Sequence, residues 1–461
     1  MSAKAAAVAL IVAALGVAGS AGERIRRIEY GDLPEPVRRA LAAHGIPAPA
    51  FGTYIERVQA DTDRRVAEGE REHLIYFALQ SRAFTERAPI EPALSSRRFV
   101  ERLPEAERKR LLDEPAYVPA AGWPTSERWR IGDLLRALAR PPTNARLAYF
   151  RTLVAWDQPA RALDGLYADY VRVARFLYKK EFVAGGDGAR VASLYETRPH
   201  SSDTEIEAGF GVYLGLGTLH GLEPALQVTR VLVVGPGLDL APRTDLIDSV
   251  DPQSYQPLAV ADALLALSLA SEADLRVQSI DVNPRVVRAL EAAARAPLAL
   301  HLFTGIRETA DQPFQPEYRA YVRALGRAIG EEAPAPRAVA SDSRYQHSIA
   351  VRPSVARALG VEQLNILTER FVGEPKFDVA IATNVLTYFD DPQLALALAN
   401  ITAMLRPGGY LIHNESRAGL VEIASASALS LVHRRTAVLG GPPARPLYDT
   451  VWVHQKDKNR N

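Results

Sequence analysis

Val231-Leu232-Val233-Val234-Gly235-Pro236-Gly237 is a run of four apolar residues, three of them β-branched, that ends in two glycines one residue apart. The run reads as a buried strand. Glycine permits positive φ and has no Cβ, so a ligand can approach the backbone where the strand ends. The alternative is a tight strand-to-loop turn. Similar runs follow at Leu275–Ile280, Leu364–Leu367, Val379–Ala382 and Tyr410–Ile412. Helical patterns lie between them at Pro257–Ala270, Pro284–Arg295 and Pro392–Leu405, each with a proline suited to a first turn. Strands alternating with helices imply βαβ units and a parallel, doubly wound α/β sheet. Residues 297–359 break the alternation and read as an insertion before the third strand, with a helix at Pro316–Ile329.

The later strands carry polar residues at their ends. Val277-Gln278-Ser279-Ile280-Asp281-Val282-Asn283-Pro284 ends in a carboxylate that could accept hydrogen bonds from both ribose hydroxyls of a nucleoside cofactor. Asn283, just before Pro284, is the better helix cap, which frees Asp281. Phe377 to Asp391 places Thr383 and Asn384 after the fourth strand, and then Tyr388 and Phe389. Arg406-Pro407-Gly408-Gly409 leads into the fifth strand, which ends at His413-Asn414-Glu415. Arg435–Leu439 and Asp449–His454 read as a terminal antiparallel hairpin.

This order of motifs resembles the class I S-adenosylmethionine-dependent methyltransferases over about residues 190–461, outside the insertion. The segment Asn384–Phe389 with its PGG strand is similar to chemotaxis-receptor methyltransferases. The resemblance implies a Rossmann-like sheet and S-adenosyl-L-methionine as cofactor. It places Gly235 and Gly237 against the methionine moiety, Asp281 on the ribose and Val282 near the adenine. It sets Thr368 and Glu369 at the adenine edge, Thr383 and Asn384 at the sulfonium, and Tyr388 in the acceptor pocket, with Asn384 and Tyr388 as the catalytic candidates. Two departures stand out. Leu238-Asp239-Leu240 follows Gly237 where a third glycine would open a helix. No general base is identifiable, although methyl transfer from a sulfonium needs mainly an aligned nucleophile. The segment Asp251–Gln256, including Tyr255, would sit at the next helix's N-terminus and could offer N–H groups to the ligand carboxylate. Ser201-Ser202-Asp203-Thr204 is a helix cap or a cofactor clamp, and the cap is the expectation.

Residues 23–185 read as a separate α-helical domain. Phe51–Gln80 and Glu127–Leu153 have apolar residues at helical spacing, and proline-rich joints separate the pieces. The domain shows no chemical motif, and its charges are expected on a solvated face. Residues 186–461 then form the methyltransferase-like domain. At the N-terminus, Met1–Lys4, the apolar run Ala5–Val17 and Ala18–Gly22 have the three parts of a secretory signal peptide. The expected location is therefore periplasmic, or membrane-tethered if residues 1–22 stay as an anchor, and cytoplasmic if the signal is not used.

The chain has 461 residues and no cysteine, so disulfides and thiolate chemistry are excluded. No ligand spacing suggests a metal. A net charge of +1 offers no field for nucleic acid. The expected function is methyl transfer to an O or N nucleophile on a small molecule or a protein. An exported, non-catalytic ligand-binding or scaffold protein of the same fold is the alternative. A nicotinamide-binding oxidoreductase is a third possibility, weakened by the missing glycine.

Overall fold

The computed structural model describes residues 24–184, 188–239, 247–296, 298–336, 344–373, 375–441 and 446–458. The expected signal segment, Leu240 and most of the Ala184–Gly188 joint lie outside them. Twelve strands are seen among these residues. They are β1 (Arg24–Arg27), β2 (Arg230–Val234), β3 (Arg276–Asp281), β4 (Ala299–Phe303), β5 (Gly330–Ala333), β6 (Gln346–Val351), β7 (Leu359–Gln363), β8 (Glu369–Val372), β9 (Phe377–Ala382), β10 (Leu405–His413), β11 (Leu429–Gly440) and β12 (Leu447–Lys456).

Seven of them form one sheet in the order β7-β3-β2-β9-β10-β12-β11. The pairs from β7 to β10 are parallel, while β12 runs antiparallel to both β10 and β11. The chain winds outward from β2 to β7, then restarts at β9 on the other side. The carboxyl ends of β2 and β9 therefore flank the topological switch point, where doubly wound sheets form their crevice. Asp378 fixes the opposite edge. One carboxylate oxygen accepts from the Thr229 and Arg230 N–H groups at 2.8 and 3.0 Å, and the other from Arg406 Nε at 2.6 Å.

All three helices expected between the strands form, two of them with capping side chains. Pro284–Arg295 is capped by Asn283, whose side chain accepts from the Arg285 N–H. Asp391–Met404 begins with a reciprocal Asp390–Gln393 capping box. One correction concerns the third strand, expected at Leu364–Leu367. The ladder with β3 instead uses Leu359–Gln363, paired to Val277–Asp281. This is an edge strand, so Glu362 and Gln363 stay in water. The more apolar 364–367 run dips into the core just beyond it. The insertion carries a three-stranded sheet of its own, in the order β4-β6-β5.

Alternation along β2 divides the core. Val231 and Val233 face the helices Glu207–Leu222 and Gln256–Ala266 and the insertion. Leu232 and Val234 face the helix Asp391–Met404 and, beside it, Ile28, Val37, Leu41, Phe51 and Ile55 from the start of the chain. Strand β1 also pairs with β8. Residues 28–58 thus cover one face of the sheet and are not part of a separate helical domain. The helix Ala48–Gln80 is about 50 Å long at 1.5 Å per residue. Its first half packs in this layer, and its end enters a second core of Leu74–Leu79, Phe99, Ile131, Leu134 and Tyr170. That second core is the helical lobe. Among the described residues, no helix is long and apolar enough to cross a membrane.

Candidate functional site

One cavity of about 850 Å³ lies at the carboxyl edge of the sheet. Gly235, Gly237, Asp281, Val282, Thr383, Asn384 and Tyr388 all line it. Small-molecule sites commonly run from about 300 to 1,000 Å³.

Gly235 and Gly237 have φ near +62° and +64°. A Cβ on Gly235 would stand 2.5 Å from Val385 Cγ2, and one on Gly237 would stand 2.5 Å from the Ser202 carbonyl oxygen. The chain's own packing therefore demands both glycines before any ligand is considered. Leu238 and Asp239, the described residues that follow Gly237, are extended and not helical. Leu238 and Asp239 instead exchange backbone bonds with the 202–204 segment and Gln253.

Asp281 is 7% exposed. Its carboxylate accepts from the Asn283 N–H at 2.7 Å and from the Gly237 N–H at 3.4 Å. Burial pushes its pKa up to about 7, against the pull of these N–H groups, and the Glu70 charge adds to the rise. Asn384 adopts a left-handed conformation, φ +59°. It forms a reciprocal pair with Asn414, backbone N–H to Oδ1 and Nδ2 to Oδ1, both at 2.8 Å. Thr383 accepts from Gln256 Nε2 at 2.5 Å. Tyr388 packs edge-on against Tyr195 and His200. Burial pushes its phenol up to about 12, so at neutral pH it is a hydrogen-bond donor and not a base.

Three expected positions do not reach the cavity. Thr368 bonds Gln59 through its hydroxyl, and its carbonyl accepts from the Ile28 N–H. Glu369 opens β8 and caps the Asn365 N–H. Once the third strand ends at Gln363, the outlet of that strand is Leu364–Leu367, and these residues line the cavity. Tyr255 is fully buried in the sheet's other layer, and its hydroxyl donates to the Glu205 carbonyl. The N-terminus of the helix it precedes is likewise off the cavity. Ser201–Thr204 do not cap the helix Glu207–Leu222, whose N-cap is Ile206 without a side-chain bond. They line the cavity wall, as a clamp would.

The helical lobe supplies what the sequence reading missed. Thr62, Val66, Tyr76, Phe176 and Leu177 roof the cavity. Glu70, expected on a solvated face, is 4% exposed. It accepts from Asn283 Nδ2 at 2.6 Å, Arg285 Nη1 at 2.9 Å and Tyr149 Oη at 2.7 Å. Burial alone would raise Glu70, but His73, Arg285 and these bonds hold it below the usual carboxylate range. His73 stands within 3.3 Å of the Ser202 hydroxyl, and burial lowers it to about 4. The only available signal was the density of charge in an otherwise amphipathic helix.

The lining is acidic. Glu91, Glu181, Asp203, Glu205, Glu207, Asp281, Glu415 and Asp449 face two cations, Lys180 and Arg198, and Arg198 pairs with Glu72 at 3.3 Å. A cationic ligand suits this field. A diphosphate does not.

No protein-family model and no curated protein matches the chain. Solved structures do match. The N-methyltransferase NodS from Bradyrhizobium japonicum WM9, in complex with S-adenosyl-L-homocysteine, aligns over 57% of this chain and 96% of its own at 16% identity, with a TM-score of 0.29. The magnesium protoporphyrin IX methyltransferase ChlM from Synechocystis PCC 6803 with bound SAM covers 61% and 94% at 11% identity, TM-score 0.28. The 1,6-didemethyltoxoflavin-N1-methyltransferase from Burkholderia thailandensis covers 60% and 87% at 15%, TM-score 0.25. At these values the likeness says nothing of what this chain binds or does.

Proposed function

We propose that the protein is an S-adenosylmethionine-dependent methyltransferase. The observation that carries this reading is the convergence of Gly235, Gly237, Asp281 and Asn384 on one open cavity at the switch point of the sheet. The residues fit the cofactor in three ways. The glycine turn lines the cavity with no side chain of its own, the buried Asp281 carboxylate suits a ribose diol, and the acidic lining suits a sulfonium cation. When bound, the cofactor supplies an electrophilic methyl group.

The chain's own residues do the rest. Asp281 accepts the ribose hydroxyls, and Val282 with Leu364–Leu367 would flank the adenine. The Ser201–Thr204 wall and the glycine turn hold the amino-acid end. Asn384, locked by Asn414, and Tyr388 shape the place where the acceptor meets the methyl group. Alignment of acceptor and methyl, with water excluded by the helical roof, is the main catalytic contribution such a site makes. The finer likeness to chemotaxis-receptor methyltransferases rests on the Asn384–Phe389 segment and its PGG strand. The nicotinamide reading is disfavoured by the acidic lining and by the extended segment after Gly237.

Isothermal calorimetry with S-adenosylhomocysteine tests the proposal. One site per chain is expected, with affinity at least tenfold weaker in Asp281→Asn. No heat of binding at high protein concentration would contradict it.

A further inference from the structure

Eight carboxylates line the cavity, and three of them are accounted for at once. Glu207 accepts from the Gly305 N–H and the Tyr318 hydroxyl, Glu181 pairs with Lys180, and Asp281 is assigned above to the ribose. Glu415 is engaged through only one of its two oxygens. It follows β10, is only 6% exposed and lines the cavity. Its Oε1 accepts from the Ser416 and Arg417 N–H groups at 3.0 and 2.9 Å and lies 3.4 Å from Arg417 Nε. Its Oε2 is buried and has no partner. An unpartnered buried carboxylate oxygen costs free energy unless a donor arrives.

Asp449 lines the same cavity, its Oδ1 accepts from the Thr450 N–H at 2.8 Å, and the Asn414 amide acts on its carboxylate. Burial raises its pKa to about 6, so it too lacks a full counter-charge. Asn414, which locks Asn384, precedes Glu415 in the chain and acts on Asp449, so it links both acids to the expected methyl-transfer point. Tyr448, exposed at the rim, adds an aromatic face. A cation beside carboxylates and an aromatic ring is a favourable arrangement.

We infer that the methyl acceptor is an amine that arrives protonated and is received by the Glu415 Oε2 and Asp449 carboxylates. This rests on the methyltransferase reading above. Glu415 Oε2 takes one proton from the ammonium, which frees the nitrogen lone pair. The lone pair forms the N–CH3 bond as the S–CH3 bond breaks, and the electron pair of that bond stays on sulfur. The products are a methylammonium and a neutral thioether. Carboxylate or phosphate acceptors would meet like charge at this end.

The test uses the full chain saturated with S-adenosylhomocysteine, so cofactor binding is established before any acceptor is added. Benzylamine, benzyl alcohol and benzoate are then titrated by calorimetry. Benzylamine is expected to bind at least tenfold more tightly than the other two. Glu415→Gln keeps the carbonyl that accepts the two N–H bonds, and Asp449→Asn is a second probe. Each is expected to weaken benzylamine at least tenfold in the S-adenosylhomocysteine-saturated protein. If benzylamine binds no better than the alcohol or benzoate, or if both variants bind it as well as the parent, the amine inference falls. Failure of S-adenosylhomocysteine to bind would instead overturn the methyltransferase reading itself.

Discussion

Asp281 shows how one side chain is set for a ligand. It is buried, it is held by two backbone N–H groups, and Glu70 with its partner Arg285 stands beside the same wall. Its folded pKa of about 7 is above the unfolded value, so ionisation is disfavoured in the folded protein. The stability linked to this group is present below about pH 4 and is lost as pH rises through 7. Ligand binding runs the other way, because ribose hydroxyls donate to the carboxylate. Affinity for S-adenosylhomocysteine should rise as pH is raised from 5.5 to 8, by up to about tenfold per unit below 7, and Asp281→Asn should flatten the profile. A flat profile in the parent would remove Asp281 from the ribose. The residue was legible in the sequence because a carboxylate ended a strand and Asn283 offered the better cap. Thr368 and Tyr255 were not. A hydroxyl or phenol near a strand end reads the same whether it faces the cavity or the core, and only the register, shifted here to Leu359–Gln363, tells them apart.

The long helix Ala48–Gln80 couples the elements. Its apolar spacing reveals a helix, and most of its extent was readable. Its polar content was misleading, since isolated charges usually mean solvent. Here they face a second element across the helix, and Glu70 joins the helical lobe to Asn283 and Arg285 at the start of the helix Pro284–Arg295. Removing the carboxylate leaves Arg285, stacked on Tyr149 at 4.1 Å, as an uncompensated charge in a largely buried place. Glu70→Ala should therefore cost about 3–5 kcal/mol in urea denaturation. Glu70→Gln should cost less, because the neutral amide still accepts one bond. A loss below about 1 kcal/mol for the alanine variant would show that the lobe is held elsewhere. The Ser81–Asp248 and Arg146–Val250 bonds are the next candidates.

Across the whole molecule, the seven-stranded sheet was largely readable because buried parallel strands leave short apolar runs between helices. The contribution of the first sixty residues was not. An amphipathic helix such as Glu35–Ala43 buries Val37 and Leu41 equally well against its own domain or against a distant sheet. In the fold, these residues cover Leu232, Val234, Ala380 and Leu411. A chain shortened to begin at residue 186 should therefore lack a cooperative unfolding transition and near-ultraviolet dichroism, whereas one beginning at Arg24 should keep both. A native-like transition in the shorter chain would contradict this packing.

The helical lobe roofs the same cavity that the sheet floors, so cofactor, acceptor and closure meet in one place. A crystal structure of the full chain with S-adenosylhomocysteine tests that most directly. The account predicts both ribose hydroxyls on Asp281, the glycine turn against the amino-acid portion, and the sulfur directed toward Asn384 and Glu415. Density for the ligand elsewhere, or a ribose without Asp281, would contradict it.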